Sequence, residues 1–380
     1  MKNSQEDCIA PLWLPAPALV VEIGSQIRPG IGSLRSGEHR ALFDHPLEEV
    51  GIAARRILRR DPTMRRASIT LESVERWLSG AIIRSPGGDT ALARIVTGRA
   101  PFHAKATSHY SGCGQTGVEN AWWSAMSPVI GKTEAIGRRA PSDILSRRRY
   151  GSPFVPSVAS MATLAKRSYT AIRRAPSLLA AHNAMTIHTA LLCTMGLALR
   201  PSRRPIVPFN GVDPETGFVI LADDRERDQF MVRMGWAPPV LRTQLDLYRR
   251  HLSRLATLNE AAAHALSTCC IDGSMPWILF KGPIPGQVTF RDVVDAAMEV
   301  RTGELRHNFA RHLLRTELLG QCSSETLHAF MGHWNTGTEP WGTASGFDPM
   351  AYRADLERAL PPLLEQTGWL AAAPADRVVP

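Results

Sequence analysis

The sequence predicts a mainly α-helical protein with a small antiparallel β-sheet, divided into a basic helical domain and a longer C-terminal domain. Three observations predict this. Apolar residues recur at three- and four-residue spacing through the second half, as in VLRTQLDLYRRHLSRLATLNEAAAHAL and YRADLERALPPLLE, which is the period of one helix face. The stretch IVPFNGVDPETGFVILADD instead reads as strand, turn and strand, the turn carrying Asp213, Pro214 and Gly217. Gly, Pro and Ser cluster in YGSPFVPSVAS, residues 150 to 160, where a linker belongs. With 380 residues, 44% of them hydrophobic, the chain is long enough to bury a core on each side of that linker.

Residues 1 to 45 are rich in Pro and Gly and read as an irregular arm. Residues 46 to 150 form the basic helical domain. PLEEVGIAARRILRR and ITLESVERWLSGAIIR are amphipathic, with arginines on the polar side. From 85 to 152, PGGD, SGCG, SPVIG and RRAPSD interrupt the pattern, and Trp122 and Trp123 are the expected core anchors. The second domain covers residues 157 to 370. It opens with the apolar SLLAAHNAMTIHTALLCTMGLAL, one helix or two, followed by the strand pair and a third strand, FMVRMGW. Helices follow through RDVVDAAMEV, ELRHNFARHLL, SETLHAFMGH and YRADLERALPPLLE. In ELRHNFARHLL, Leu305, Phe309 and Leu313 recur every fourth residue on one helix face, with Arg306 and His307 beside it. An arginine so placed either pairs with a carboxylate, Glu304 or Glu317, or meets a phosphate.

The formal charge is +9, from 44 basic and 35 acidic residues, and five of the basic residues are lysine. Arg55, Arg56, Arg59, Arg60, Arg65 and Arg66 form one cluster and Arg138, Arg139, Arg147, Arg148 and Arg149 another. Together they are the footprint of a protein that lies against nucleic acid, although either alone also fits a solvated helix face. The six cysteines contain no CxxC pair, as in a reducing cytoplasm. The apolar run IAPLWLPAPALVVEIG follows Glu6 and Asp7 and holds three prolines, so neither a signal peptide nor a membrane span is expected.

Gly112, Gly114 and Gly117 match GxGxxG, but no strand is predicted before them and no helix after, so a dinucleotide site is not expected. Gly131, Lys132 and Thr133 end like a phosphate loop, but Met126 occupies the position of its first glycine. His307 with His312 and His328 with His333 are five apart, with no cysteine or carboxylate in a metal-ligand pattern. No metal and no cofactor is expected.

The motif LRH-x-F-A-x-HLL resembles the second signature box of the tyrosine recombinases, the phage-integrase family. The resemblance implies that Arg306 is the second catalytic arginine. Met331, Gly332 and His333 fit the family's later glycine–histidine box, and CTMGLALRPSRRP is similar to the segment of its first arginine, here Arg200. Tyr352 is the sole tyrosine after Arg306 and takes the place of the nucleophile. The four parts stand in the family's order across residues 157 to 370. The resemblance further implies a recombinase-like catalytic domain preceded by a helical DNA-binding domain. Its activity would be site-specific recombination or integration of a mobile genetic element, with a tetramer assembled on double-stranded DNA in the bacterial cytoplasm, associated with the nucleoid.

In that chemistry a tyrosine hydroxyl attacks a DNA phosphodiester, leaving a 3′-phosphotyrosyl bond and a free 5′-hydroxyl. Two arginines offer forked donors to the non-bridging oxygens, and His333 hydrogen-bonds the phosphate. His307, Arg203, Arg204 and Arg225 would support the phosphate, and Arg55, Arg59, Arg147 and Arg148 the DNA backbone.

This chain also departs from the family. Gly303 stands where a histidine precedes the second arginine by three, and Arg203 stands where an acidic residue often follows the first. No lysine occurs between Lys166 and Lys281, so Asp224 or Arg225 holds the place of the family's hairpin lysine. An arginine is a poor proton donor because its pKa lies far above neutral. The segment NTGTEPWGTASGFDPMA makes the approach to Tyr352 long. A recombinase-derived DNA-binding accessory protein with impaired cleavage is therefore the alternative expectation.

Overall fold

Short polar side chains start the helices of this computed structural model, which describes residues 52, 55–56, 58–60, 62–85, 87–98, 105–130, 149–200, 211–222, 232–269, 277–282, 285–299, 305, 308–334 and 339–374. Thr70, Asp89, Ser157, Ser177, Ser323 and Asp348 each accept a backbone N–H of the first turn that has no partner within the helix. The chain divides into two compact units. One comprises Met1–Phe102 and Cys113–Gly151, the other His103–Gly112 and Ser152–Pro380.

The first unit contains α1 (Pro62–Arg66), α2 (Leu71–Arg84) and α3 (Thr90–Thr97). After α4 (Lys105–Tyr110), which belongs to the second unit, come β1 (Gly112–Gly114), α5 (Gln115–Ile130) and β2 (Arg149–Gly151). Ile82, Leu92, Val96, Val118, Trp122 and Tyr150 form its core, with Trp123 packed partly buried against them.

Two expectations are corrected in this unit. A helix does follow the glycine motif, and it runs through Ser127 and Pro128 where a break was expected. Val118, Ala121, Trp122 and Ala125 recur at helical spacing and are buried, and this packing outweighs the glycine and the proline. Ser127 donates to the carbonyl of Trp123 at 2.8 Å one residue ahead of the proline. The first two glycines also lie within a strand, β1, where none was expected. They form no turn between a strand and a helix, and β1 pairs with β2 in a two-stranded sheet. The loop that would hold a pyrophosphate is therefore not built.

In the second unit α6 (Val158–Arg173) and α7 (Leu178–Leu197) lead into β3 (Phe218–Leu221), β4 (Arg233–Trp236), α8 (Pro239–Leu258) and α9 (Glu260–Cys269). The chain continues through β5 (Ile278–Phe280), β6 (Pro285–Gln287), α10 (Phe290–Glu299), α11 (Phe309–Glu317), α12 (Ser324–Met331) and α13 (Pro349–Gln366). Helix α7 is apolar all round and is the axis of the unit, in contact with α6, α8, α10, α11 and α13.

β3 and β4 pair antiparallel from Phe218↔Trp236 to Leu221↔Arg233, and Val212 bridges to Val219. The start of the predicted first strand lies outside the described residues. A second antiparallel pair, β5 with β6, was not expected.

The helical reading of residues 304 to 314 needs correction. Helix α11 begins only at Phe309, with Asn308 at its N-cap, and Leu305 precedes it outside any helix. Leu305, Phe309 and Leu313 are all buried, as their apolar character requires, but they do not share one helix face. Among the described residues no helix is long and apolar enough to cross a membrane.

Candidate functional site

Two helices of the second unit end in left-handed residues, and their C-terminal carbonyls gather a set of arginines. Ala198 closes α7 at φ 49° and Gly332 closes α12 at φ 65°. A helix C-terminus carries unsatisfied carbonyls and a partial negative charge, so cations are favoured there. Three arginines take successive carbonyls at the end of α12. Arg233 donates to Phe330 at 2.7 Å, Arg311 to Met331 at 2.6 Å and Arg200 to Gly332 at 2.9 Å. Arg233 and Arg311 also share the carbonyl of Ala198, at 3.1 and 2.8 Å. Arg315, one helical turn beyond Arg311, is fully buried.

His333 follows the Gly332 cap inside this nest and is 6% exposed. Its Nε2 lies 3.0 Å from Arg311 Nη2. Burial, reinforced by the charges of Arg311, Arg315, Arg200 and His328, holds its pKa well below the ordinary 6.5, so the ring is neutral at pH 7. Tyr110, at the end of α4, stacks on the His333 ring at 5.2 Å, and the Arg311 guanidinium lies over the Tyr110 ring, 5.0 Å from its centroid. Helix α4 is itself tied to α11: Thr316 Oγ1 donates to the Tyr110 carbonyl at 3.4 Å, and His312 packs 4.8 Å from the Tyr110 ring.

The structure brings Arg200 and His333 together. Tyr352 is turned to another task. It is 1% exposed, and its hydroxyl donates to the carbonyl of Met234, next to Arg233, at 2.8 Å. Trp341, Phe347 and Phe218 surround its ring, and burial raises its pKa above the usual tyrosine value. Arg306, His307, Arg203, Arg204, Arg225, Arg147 and Arg148 lie outside the described residues. Arg55 and Arg59 are helical and exposed.

No family model, curated protein or solved structure matches the chain. A cluster of guanidinium groups around a neutral imidazole suits an oxyanion with several acceptor oxygens.

Sequence reasoning passed over Arg233, Arg311, Arg315 and Tyr110. The signal for the first two was an arginine inside an apolar run, in FMVRMGW and in FARHLL. A substitution at Gly332 tests the frame. A Cβ there would sit 3.1 Å from Arg233 Cδ and 3.3 Å from Arg200 Nη2, at a φ that disfavours side chains. Gly332→Ala is expected to cost about 1–2 kcal/mol of stability, read as a lowered urea midpoint. A midpoint equal to wild type would mean that the cap and the arginines around it relax freely.

Proposed function

We propose that this protein is a DNA strand-exchange enzyme of the tyrosine-recombinase type, acting on the ends of a mobile genetic element. The observation that carries the reading is the meeting of Arg200 and His333, distant in sequence, at the end of α12 among further buried arginines. A phosphodiester in the transition state concentrates charge on two non-bridging oxygens, and permanently charged forked donors stabilise it without metal. Arg306 completes the donor set in this reading. The basic region of residues 46 to 150, with Arg55, Arg59, Arg147 and Arg148, supplies DNA backbone contacts, and copies of the chain assemble as a tetramer on paired sites in the nucleoid. Phosphate contacts of this kind make binding steeply salt-dependent.

One observation favours the second reading, a DNA-binding accessory protein of the same descent. The Tyr352 hydroxyl is already engaged by the Met234 carbonyl and its pKa is raised, so it is a poor nucleophile where it stands. Attack requires the start of α13 to leave that carbonyl. A nicked duplex carrying an end of the protein's own element separates the readings. Wild type is expected to form a covalent protein–DNA adduct, Tyr352→Phe none, and Arg200→Ala to form it about a hundredfold more slowly. Binding without any adduct selects the accessory protein, and a chain that binds no duplex DNA removes both.

A further inference from the structure

His333 is fixed on every side but one. Its main chain is set by the end of α12, where His333 N–H donates to the carbonyl of His328 at 2.9 Å and Gly332 N–H to that of Ala329 at 3.3 Å. Its ring plane is set by Tyr110, which lies 18° from parallel. Its Nε2 edge is set by Arg311. A guanidinium has donors and no acceptor, so Nε2 must accept, and a neutral imidazole that accepts at Nε2 carries its proton on Nδ1. The two hydrogens of Arg311 Nη2 are then both placed, one on His333 and one on the Met331 carbonyl.

The remaining edge of the ring is the chemically open one. His333 Nδ1 is buried and finds no hydrogen-bond partner among the described residues. A buried donor without a partner is costly, and in a native protein it marks a place where something else completes the set. The arginines around it make an anion the fitting ligand.

We propose that Arg311 is a positioning residue that locks His333 as the Nδ1–H tautomer, making it a neutral hydrogen-bond donor to a phosphate oxygen. The source of that phosphate, a DNA backbone, rests on the strand-exchange reading. In this role His333 orients and stabilises the anion and transfers no proton. A neutral donor also adds directionality where further positive charge would repel the arginines.

The test is a long-range 1H–15N correlation spectrum of the full-length protein labelled with 15N-histidine, at pH 7 and without DNA. His333 is expected to show a protonated Nδ1 and an unprotonated Nε2, and added inorganic phosphate is expected to shift the Nδ1 signal. Arg311→Lys keeps a donor and should keep the tautomer, whereas Arg311→Met should release the ring to the Nε2–H form that free imidazole side chains prefer. A wild-type ring protonated at Nε2, or an unchanged tautomer in folded Arg311→Met, overturns the positioning role. A correct tautomer whose Nδ1 ignores phosphate overturns the anion-donor role. If Arg311→Met does not fold, the wild-type and Arg311→Lys spectra decide. A missing covalent adduct removes the strand-exchange reading and leaves the tautomer as measured, so the two failures are distinct.

Discussion

Taking the pH from 7 to 5 is expected to cost the second unit on the order of 4 kcal/mol of stability. The cause is a group of histidines buried in the neutral form. Burial holds His182, His188, His251 and His312 down from 6.5 to about 4. His182 and His188 are fully buried, and His251 and His312 nearly so. Each neutral ring is locked by hydrogen bonds. His182 Nδ1 faces His251 Nε2 at 3.2 Å and its Nε2 meets the Ile278 carbonyl at 2.9 Å. His188 is held between Ser168 Oγ and the Leu370 carbonyl, both at 2.9 Å, and His312 Nδ1 meets Ser152 Oγ at 2.9 Å.

With the folded pKa depressed, the unfolded chain binds protons first as the pH falls through 6.5. Stability is therefore complete above 6.5 and is lost progressively toward 4. At pH 5 each such ring contributes a loss of roughly 1–2 kcal/mol, large against a usual total of about 5–15 kcal/mol. The carboxyls of Asp292 and Asp355, held below 3.8 by their hydrogen-bond donors despite some burial, matter only at lower pH. Urea midpoints at pH 7, 6 and 5 measure the effect, and His188→Gln should flatten the profile. A midpoint constant down to pH 5 would show that these rings are not held neutral.

The parts of this fold that the sequence exposes are those where burial follows a simple period. Helix α7 was legible because nearly every residue from Met185 to Leu197 is apolar or small, and α8 because Leu241, Leu245, Leu252 and Leu255 mark one face. Strand β3 was legible from its Val and Ile content and from the turn at Asp213 and Gly217 that leads into it, and β4 from the run FMVRMGW. What stayed hidden has a common physical origin. Arginine ordinarily signals a surface, so Arg233 in a strand and Arg311 and Arg315 in a helix were not expected in a core. The burial of Arg233 and Arg311 is stabilised by carbonyls at the ends of α7 and α12, which lie far away in the chain. Tyr110 was hidden for the same reason, because its place on His333 depends on α4 joining the second unit across the chain of the first. The candidate site was thus half legible: Arg200 and His333 stand on motif-bearing segments, whereas the residues that position them appear only once the helix ends converge.

Arg233→Met should lower stability by about 3 kcal/mol, far more than either residue the family resemblance marks in the same neighbourhood. Arg233 is 1% exposed and ties the end of α12, through Phe330, to the end of α7, through Ala198. Methionine fills much of the volume but leaves the Phe330 carbonyl buried without this donor, and that desolvation is the main cost. Arg200 is only half-buried and sits at the rim of the same nest. Its replacement by methionine should cost less than about 1 kcal/mol while weakening the proposed duplex binding. Tyr352→Phe removes one hydrogen bond, to Met234, and should cost about 1 kcal/mol. Urea denaturation of the three variants beside wild type makes the comparison. The order Arg233 well above Tyr352 and Arg200 separates an arginine that holds the nest together from one placed at its rim to meet a ligand. If Arg200→Met proves as destabilising as Arg233→Met, Arg200 is a structural clasp and its place in the proposed phosphate site is lost.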